Sequence, residues 1–162
     1  NGDLDLAKRM IVSAKEAGAD CIKFQTFKAD AVVTQNAPKA DYQLITTDPA
    51  ESQLEMLKKL ELNYDDYYQI KALCDALKIE FLSTPYNLED VDFLDALGVR
   101  AFKLASIHIA EPPFIDYVAR KGKPMILSTG MATLAEVDIA VRTSREAGNE
   151  DLIILQCTIF SQ

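Results

Sequence analysis

The sequence predicts an α/β fold of the (β/α)8 barrel type, incomplete, holding about five of the eight strands. Three observations carry this expectation. Short apolar runs alternate with longer amphipathic ones, the pattern of βα units rather than of hairpins. Strand-like runs begin near residues 80, 101, 125 and 152, so successive intervals are 21, 24 and 27 residues, one βα unit each. Every strand-like run also ends in polar residues: Lys23 and Gln25, Ser83 and Thr84, Lys103 and Ser106, Ser128 and Thr129, Gln156 and Thr158. Periodicity alone does not separate an open doubly wound sheet from a closed barrel. In a barrel, however, the C-terminal rim of each strand faces one shared site, whereas an open sheet recruits only the strands beside its switch point. Polar tips on all five runs favour the barrel. A complete one needs about 250 residues, so these 162 are expected to form a curved parallel sheet of five strands with all helices on one side.

The elements follow in order. Residues 4–17 carry apolar side chains at Leu4, Leu6, Ala7, Met10, Ile11 and Ala14 and meet Gly18, which predicts a helix and its C-terminal stop. Residues 21–26, C-I-K-F-Q-T, predict the first strand. An irregular stretch over 28–50 and a helix over 51–62 follow, so a loop of more than 20 residues comes directly after a strand, as loops that serve a site often do. Asn63 with Asp66 opens a helix over 64–77, and Thr133 with Glu136 is a capping box opening a helix that ends near Gly148. The remaining strands are predicted at 80–84, 101–106, 125–129 and 152–158. The acidic run with Glu89, Asp90, Asp92 and Asp95 keeps Val91, Phe93, Leu94 and Leu97 at helical spacing, which predicts a solvated helix exterior. Tyr67 and Tyr68 are expected to pack on a helix surface.

Composition narrows the function. With 17 Lys+Arg against 25 Asp+Glu the formal net charge is −8, which argues against nucleic acid, whose phosphates require clustered cations. No apolar run approaches the roughly 18–20 residues that span a bilayer, so no membrane partner is expected and a cytoplasmic location is. Cys21, Cys74 and Cys157 are odd in number, far apart and set in apolar segments, which suits buried thiols in a reducing compartment. His108 is the single histidine, and no Cys-x-x-Cys pair is present, so no metal site is expected within the chain. Dinucleotide, P-loop, nucleophile-elbow and zincin motifs are also absent.

Two lysines stand out. Lys23 and Gln25, two apart, project from one side of a strand, and Lys103 lies in the middle of A-F-K-L-A-S. A lysine inside an apolar strand loses hydration unless an anion compensates it. Two of them beside hydroxyl and amide residues point to a small, multiply charged anion such as a phosphorylated acid. The Ser and Thr of S-T-P-Y and L-S-T-G-M either join that site or cap the helices that follow.

The segments A-G-A-D-C-I-K-F-Q-T-F-K, N-A-P-K-A-D-Y-Q, E-S-Q-L-E-M-L-K-K-L-E-L, I-E-F-L-S-T-P-Y, A-F-K-L-A-S and G-K-P-M-I-L-S-T-G-M-A-T-L-A-E resemble, collinearly and over nearly the whole chain, the sialic acid synthase (N-acetylneuraminate synthase) family. The resemblance implies a partial barrel catalytic domain over residues 1–162, roughly strands two to six. Asn1-Gly2 resembles the end of the family's H-N-G turn after the first strand. It places the first strand with its catalytic glutamate before residue 1, and the later strands, two metal-binding histidines and a C-terminal antifreeze-like domain beyond residue 162. The implied reaction condenses phosphoenolpyruvate with an N-acetylated amino sugar, N-acetylmannosamine or a relative. C3 of phosphoenolpyruvate attacks the open-chain aldehyde, polarised by a divalent metal (Mn2+ or Mg2+), and water adds to C2 before phosphate leaves. By position, Thr84, Lys103, Ser106 and Ser128 are implied to hold the phosphate and carboxylate of phosphoenolpyruvate, and Lys23 and Gln25 to be catalytic where the reacting centre meets the sugar. A homodimer is implied for the full-length protein, and no turnover by this chain alone.

Three positions depart from the family pattern. Ile107-His108 stands where Gly-Glu is usual, Gln156 to Ser161 replaces a segment that commonly opens H-C-T, and Thr46 stands where an Asn often meets the sugar. The phosphoenolpyruvate side is kept and the sugar side altered. Two other classes fit the lysines: a Schiff-base aldolase using Lys103 or Lys23 as nucleophile, and a non-catalytic anion-binding fragment.

Overall fold

The structure is a computed structural model that describes residues 2–39, 41–48 and 50–157. It contains two compact units, one of Asn1–Ile22 with Thr26–Phe81 and one of Lys23–Gln25 with Leu82–Gln162.

In the first unit, α1 (Leu4–Glu16) starts where the Asp3 carboxylate accepts the Leu6 N–H at 2.8 Å, and it buries Ala7 and Ile11. Strand β1 (Cys21–Thr26) follows. The stretch expected to be irregular contains two short helices, α2 (Ala29–Val32) and α3 (Asp41–Thr46), before α4 (Gln53–Lys58). Between them, the buried Lys39 ammonium substitutes for regular structure. It donates to the Thr47 hydroxyl at 2.9 Å and the Asp48 carbonyl at 2.7 Å, and it pairs with Glu51 at 3.2 Å. Helix α5 (Tyr64–Leu77) opens on the expected Asn63–Asp66 capping box and buries Tyr67, Ile70 and Cys74. Lys8 donates to Gln69 and Lys15 to the Lys78 carbonyl, both at 2.9 Å, which pins α1 against α5. Strand β2 (Glu80–Pro85) pairs with β1 in a two-stranded sheet, whose residues 23–25 and 82–85 belong to the second unit.

The second unit runs through α6 (Leu88–Leu97), β3 (Phe102–Leu104), a 3-10 turn (Ser106–Ala110), α7 (Pro112–Ala119), β4 (Met125–Ser128), α8 (Leu134–Glu146) and β5 (Leu152–Leu155). The three strands form a parallel sheet in the order β3-β4-β5, with Lys103 opposite Ile126 and Ile126 opposite Ile153. Alternation sends Phe102, Leu104, Met125 and Leu127 into a core completed by Leu94 and Ile115, while Lys103 and Ser128 take the other face. A buried polar knot ties the loop before β4 to the loop before β5. Ser144 donates to the Asn149 carbonyl at 2.9 Å, the Asn149 amide to the Lys123 carbonyl at 2.8 Å, and the Asp151 N–H to Asn149 Oδ1 at 3.0 Å.

Five expectations are corrected. The five strands do not form one continuous sheet among the described residues: β1 pairs with β2, and the short β3 pairs with β4 but not with β2. Ser106 is not on a strand, since the His108 N–H turns back to the Ala105 carbonyl at 3.1 Å and starts the 3-10 turn. Strand β5 stops at Leu155, so Gln156 and Cys157 follow it, while Thr158 and Ser161 lie outside the described residues. The cysteines are not all buried. Cys74 is, but Cys21 is exposed on β1 and Cys157 is half-buried. Within the acidic helix, Asp90 is fully buried, and its carboxylate accepts the Tyr86 N–H at 3.3 Å. Tyr67 is buried and Tyr68 exposed. No helix among the described residues is long and apolar enough to cross a membrane.

Candidate functional site

The candidate residues Lys23, Gln25, Thr84, Lys103, Ser106 and Ser128 all fall in the second unit. Lys103 is half-buried on β3. Its ammonium donates to the Ser128 hydroxyl on β4 and to the Leu104 carbonyl at 2.8 Å. Burial first, and then the like charge of Lys23, hold the Lys103 ammonium below the ordinary lysine range, while Cys157 acts in the opposite sense. Lys23 on β1 is thus a like-charge neighbour that Lys103 on β3 senses electrostatically. A neighbourhood that disfavours its own cations is stabilised by an added anion.

Cys157 is the third member of this cluster. A hydrogen bond from the Ser128 hydroxyl is the main cause that lowers its thiol below the ordinary range. Backbone N–H groups of Gly130 and Thr129 and the charge of Lys103 assist, and partial burial opposes them. Its Sγ also lies 3.5 Å from the Leu155 carbonyl. Surroundings that favour the thiolate in this way are suited to negative charge. Sequence reasoning took Cys157 for a core thiol. The available signal was its place just past β5, level with the polar ends of the other strands.

On β1, Lys23 and Gln25 are both exposed and share a face. The Gln25 amide donates to the Tyr86 hydroxyl at 2.8 Å. Tyr86 is set edge-on to His108 with centroids 6.0 Å apart, and His108 is stacked on Phe114 at 4.0 Å and 19°. His108 Nδ1 donates to the Glu111 carboxylate at 2.8 Å, whereas its buried Nε2 has no hydrogen-bond partner. Thr84 is buried at the end of β2, and Ser106, half-buried, begins the 3-10 turn. Neither is drawn into the Lys103–Ser128 contact. Tyr86 went unused in the sequence reading, although it closes the S-T-P-Y motif.

The described residues contain no group of three or more His, Cys, Asp or Glu able to hold a metal ion.

Known proteins resemble this chain. N,N'-diacetyllegionaminic acid synthase of Legionella pneumophila is 44% identical over 162 residues, covering 98% of this chain and 46% of the relative. Pseudaminic acid synthase of Campylobacter jejuni is 34% identical over 158 residues, covering 97% and 46%. Among solved structures, the sialic acid synthetase of Leptospira borgpetersenii, in complex with citrate, matches with a TM-score of 0.84 at 26% identity, covering 98% of this chain and 50% of that one. A truncated 3-deoxy-D-arabino-heptulosonate 7-phosphate synthase from Thermotoga maritima shares the fold alone, with a TM-score of 0.67 at 10% identity, covering 94% of this chain and 45% of that one. The chain therefore spans about half the length of the curated relatives it matches. The family model itself covers residues 10–160, from α1 to beyond β5 and across every candidate residue, so the chain belongs to the NeuB family.

Proposed function

We propose that this chain is part of the catalytic barrel of a nonulosonic acid synthase, which condenses phosphoenolpyruvate with an N-acetylated amino sugar and releases phosphate. The observation that carries the proposal is the Lys103–Ser128 contact beside Lys23, a cationic pair short of negative charge. The parallel β3-β4-β5 sheet and the likeness to the Leptospira synthetase support an incomplete (β/α)8 barrel. Lys103 and Ser128 would bind the phosphate and carboxylate, with Thr84 and Ser106 flanking them, and Lys23 and Gln25 would face the reacting centre and the sugar. Fixed donors of this kind hold charge without reorganising as it develops. A divalent metal would polarise the aldehyde from ligands outside these residues, a homodimer would be the full-length state, and an antifreeze-like domain would complete the protein.

The test uses the full-length parent protein. Calorimetry is expected to show phosphoenolpyruvate binding that Lys103→Met weakens by roughly 10²-fold, the scale for truncating one partner of a desolvated charge pair. Unchanged binding would refute the assignment. Borohydride trapping with pyruvate is expected to leave Lys103 and Lys23 unmodified, because the reaction proposed here forms no Schiff base.

A further inference from the structure

We propose that Thr129 is a positioning residue of the anion site: by occupying the Leu155 carbonyl it ties the ends of β4 and β5 together, holds Ser128 against Lys103 and keeps that carbonyl from the Cys157 thiol. The inference rests on the anion-binding role proposed above and adds to it a residue that acts through its neighbours.

Thr129 directly follows Ser128, the last residue of β4, and is buried. Ser128 lies opposite Leu155 in the parallel β4–β5 register. From the next position Thr129 donates twice to the Leu155 carbonyl, with its backbone N–H and its hydroxyl, both at 3.1 Å. Its own carbonyl accepts the Ala132 N–H at 2.9 Å, in a turn that Gly130 permits at φ 54°. At the other end of the same ladder the Met125 N–H meets the Asp151 carbonyl at 2.8 Å. Held on both sides, the backbone at Ser128 has little freedom, and the hydroxyl it carries keeps the direction from which the Lys103 ammonium approaches. Capping α8 is left to Thr133, with Glu136, so Thr129 does not serve the helix in that way.

The Cys157 thiol donates to the same carbonyl, with Sγ at 3.5 Å. A carbonyl oxygen offers two lone pairs, and a thiol is a weak donor. Thr129 supplies two stronger donors at shorter range, so the thiol hydrogen gains little there. Thr129 therefore also governs how firmly Cys157 keeps its proton, in the cluster that contains Lys103 and Ser128.

The experiment is Thr129→Val in the full-length parent protein, which removes the hydroxyl and keeps the branched shape and the N–H. Phosphoenolpyruvate affinity, measured by calorimetry at pH 7, is expected to fall about threefold, the lower end for one hydrogen bond. In a Ser128→Ala background Thr129→Val is expected to add nothing, because its effect on binding travels through Ser128. With a lone pair of Leu155 freed, the thiol keeps its proton better, and native alkylation of Cys157, read by peptide mass mapping, is expected to slow about threefold as well. Thr129→Ser, which returns the hydroxyl, is expected to restore both. A residue that only stabilised the strand ends would lower the urea midpoint and move neither. Unchanged affinity, a further loss in the Ser128→Ala background, or unchanged Cys157 alkylation would each overturn the inference. Failure of the wild-type protein to bind phosphoenolpyruvate would instead sink the proposed function, and the Cys157 alkylation rate, which needs no ligand, would still decide whether Thr129 governs the Leu155 carbonyl.

Discussion

Lys103 and Ser128, 25 positions apart, meet across adjacent parallel strands through an ammonium-to-hydroxyl hydrogen bond. The register explains the reach. Lys103 lies opposite Ile126, so Ser128 is one pleat repeat further along β4, on the same face and toward its C-terminal end. The long lysine stem leans along the strand to reach it, carrying the charge toward the strand ends.

Removing the hydroxyl leaves that ammonium with one donor contact fewer. Ser128→Ala in the parent enzyme is expected to weaken phosphoenolpyruvate binding by about tenfold, equivalent to one hydrogen bond to a charged group. It should also raise the Cys157 thiol, which loses its main stabilising contact. Calorimetry and a pH series of thiol alkylation check the two outcomes.

Anion affinity should fall with rising pH, and earlier than an ordinary lysine would allow. Lys103 must be protonated to bind an anion, and its value lies below 10.5. Deprotonation of Cys157 below the usual thiol range adds a negative charge to the same cluster and acts in the same direction. Binding isotherms between pH 7 and 10 are expected to show both steps, with Cys157→Ser removing the thiol step. Stability has its own sign. In the window between the lowered Lys103 value and 10.5 the unfolded chain holds more protons than the folded one, so the Lys103 contribution to stability rises with pH there.

The thiols should separate by exposure and acidity. Cys74 is buried in α5 and burial pushes its thiol up to about 11, so maleimide at pH 7 is expected to leave it unmodified until denaturant is added. Cys21 and Cys157 should label in the native chain, as peptide mass mapping would show. Native labelling of Cys74 would contradict its burial.

Asn149 satisfies a carbonyl on one loop and an N–H on another with one side chain. Asn149→Ala strands both groups in a buried setting and is expected to cost about 1–3 kcal/mol, read from urea unfolding. A change below about 0.5 kcal/mol, the ordinary surface value, would mean that water satisfies them.

Strand and helix positions were legible where chemistry is local. Asn63 with Asp66 and Thr133 with Glu136 form the capping boxes their spacing announces, and β1 has the predicted bounds. Local pattern failed where a distant group decides. Nothing near Lys39 in the chain reveals that its ammonium would organise residues 47–51. Asp90 looked like one more solvated acid because the Tyr86 N–H that buries it belongs to the preceding turn. Lys103 is conspicuous by itself, as a lysine in an apolar strand, and the structure sets it against Ser128. Tyr86 and Cys157 were missed because a tyrosine or a cysteine in an apolar run is ordinary, and only the fold shows what each one faces.

Strand β5 pairs with β4 on one side and, among the described residues, with nothing on the other, and Ile153, Ile154 and Leu155 along it are exposed. Such a strip is a ready template for a second chain. Expressed by itself, this 162-residue stretch is therefore expected to be sticky: its yield would fall as concentration rises, and light scattering would increase before any loss of helix signal. A charged residue in place of Ile153 is expected to restore dispersal, read as lower light scattering at the same concentration.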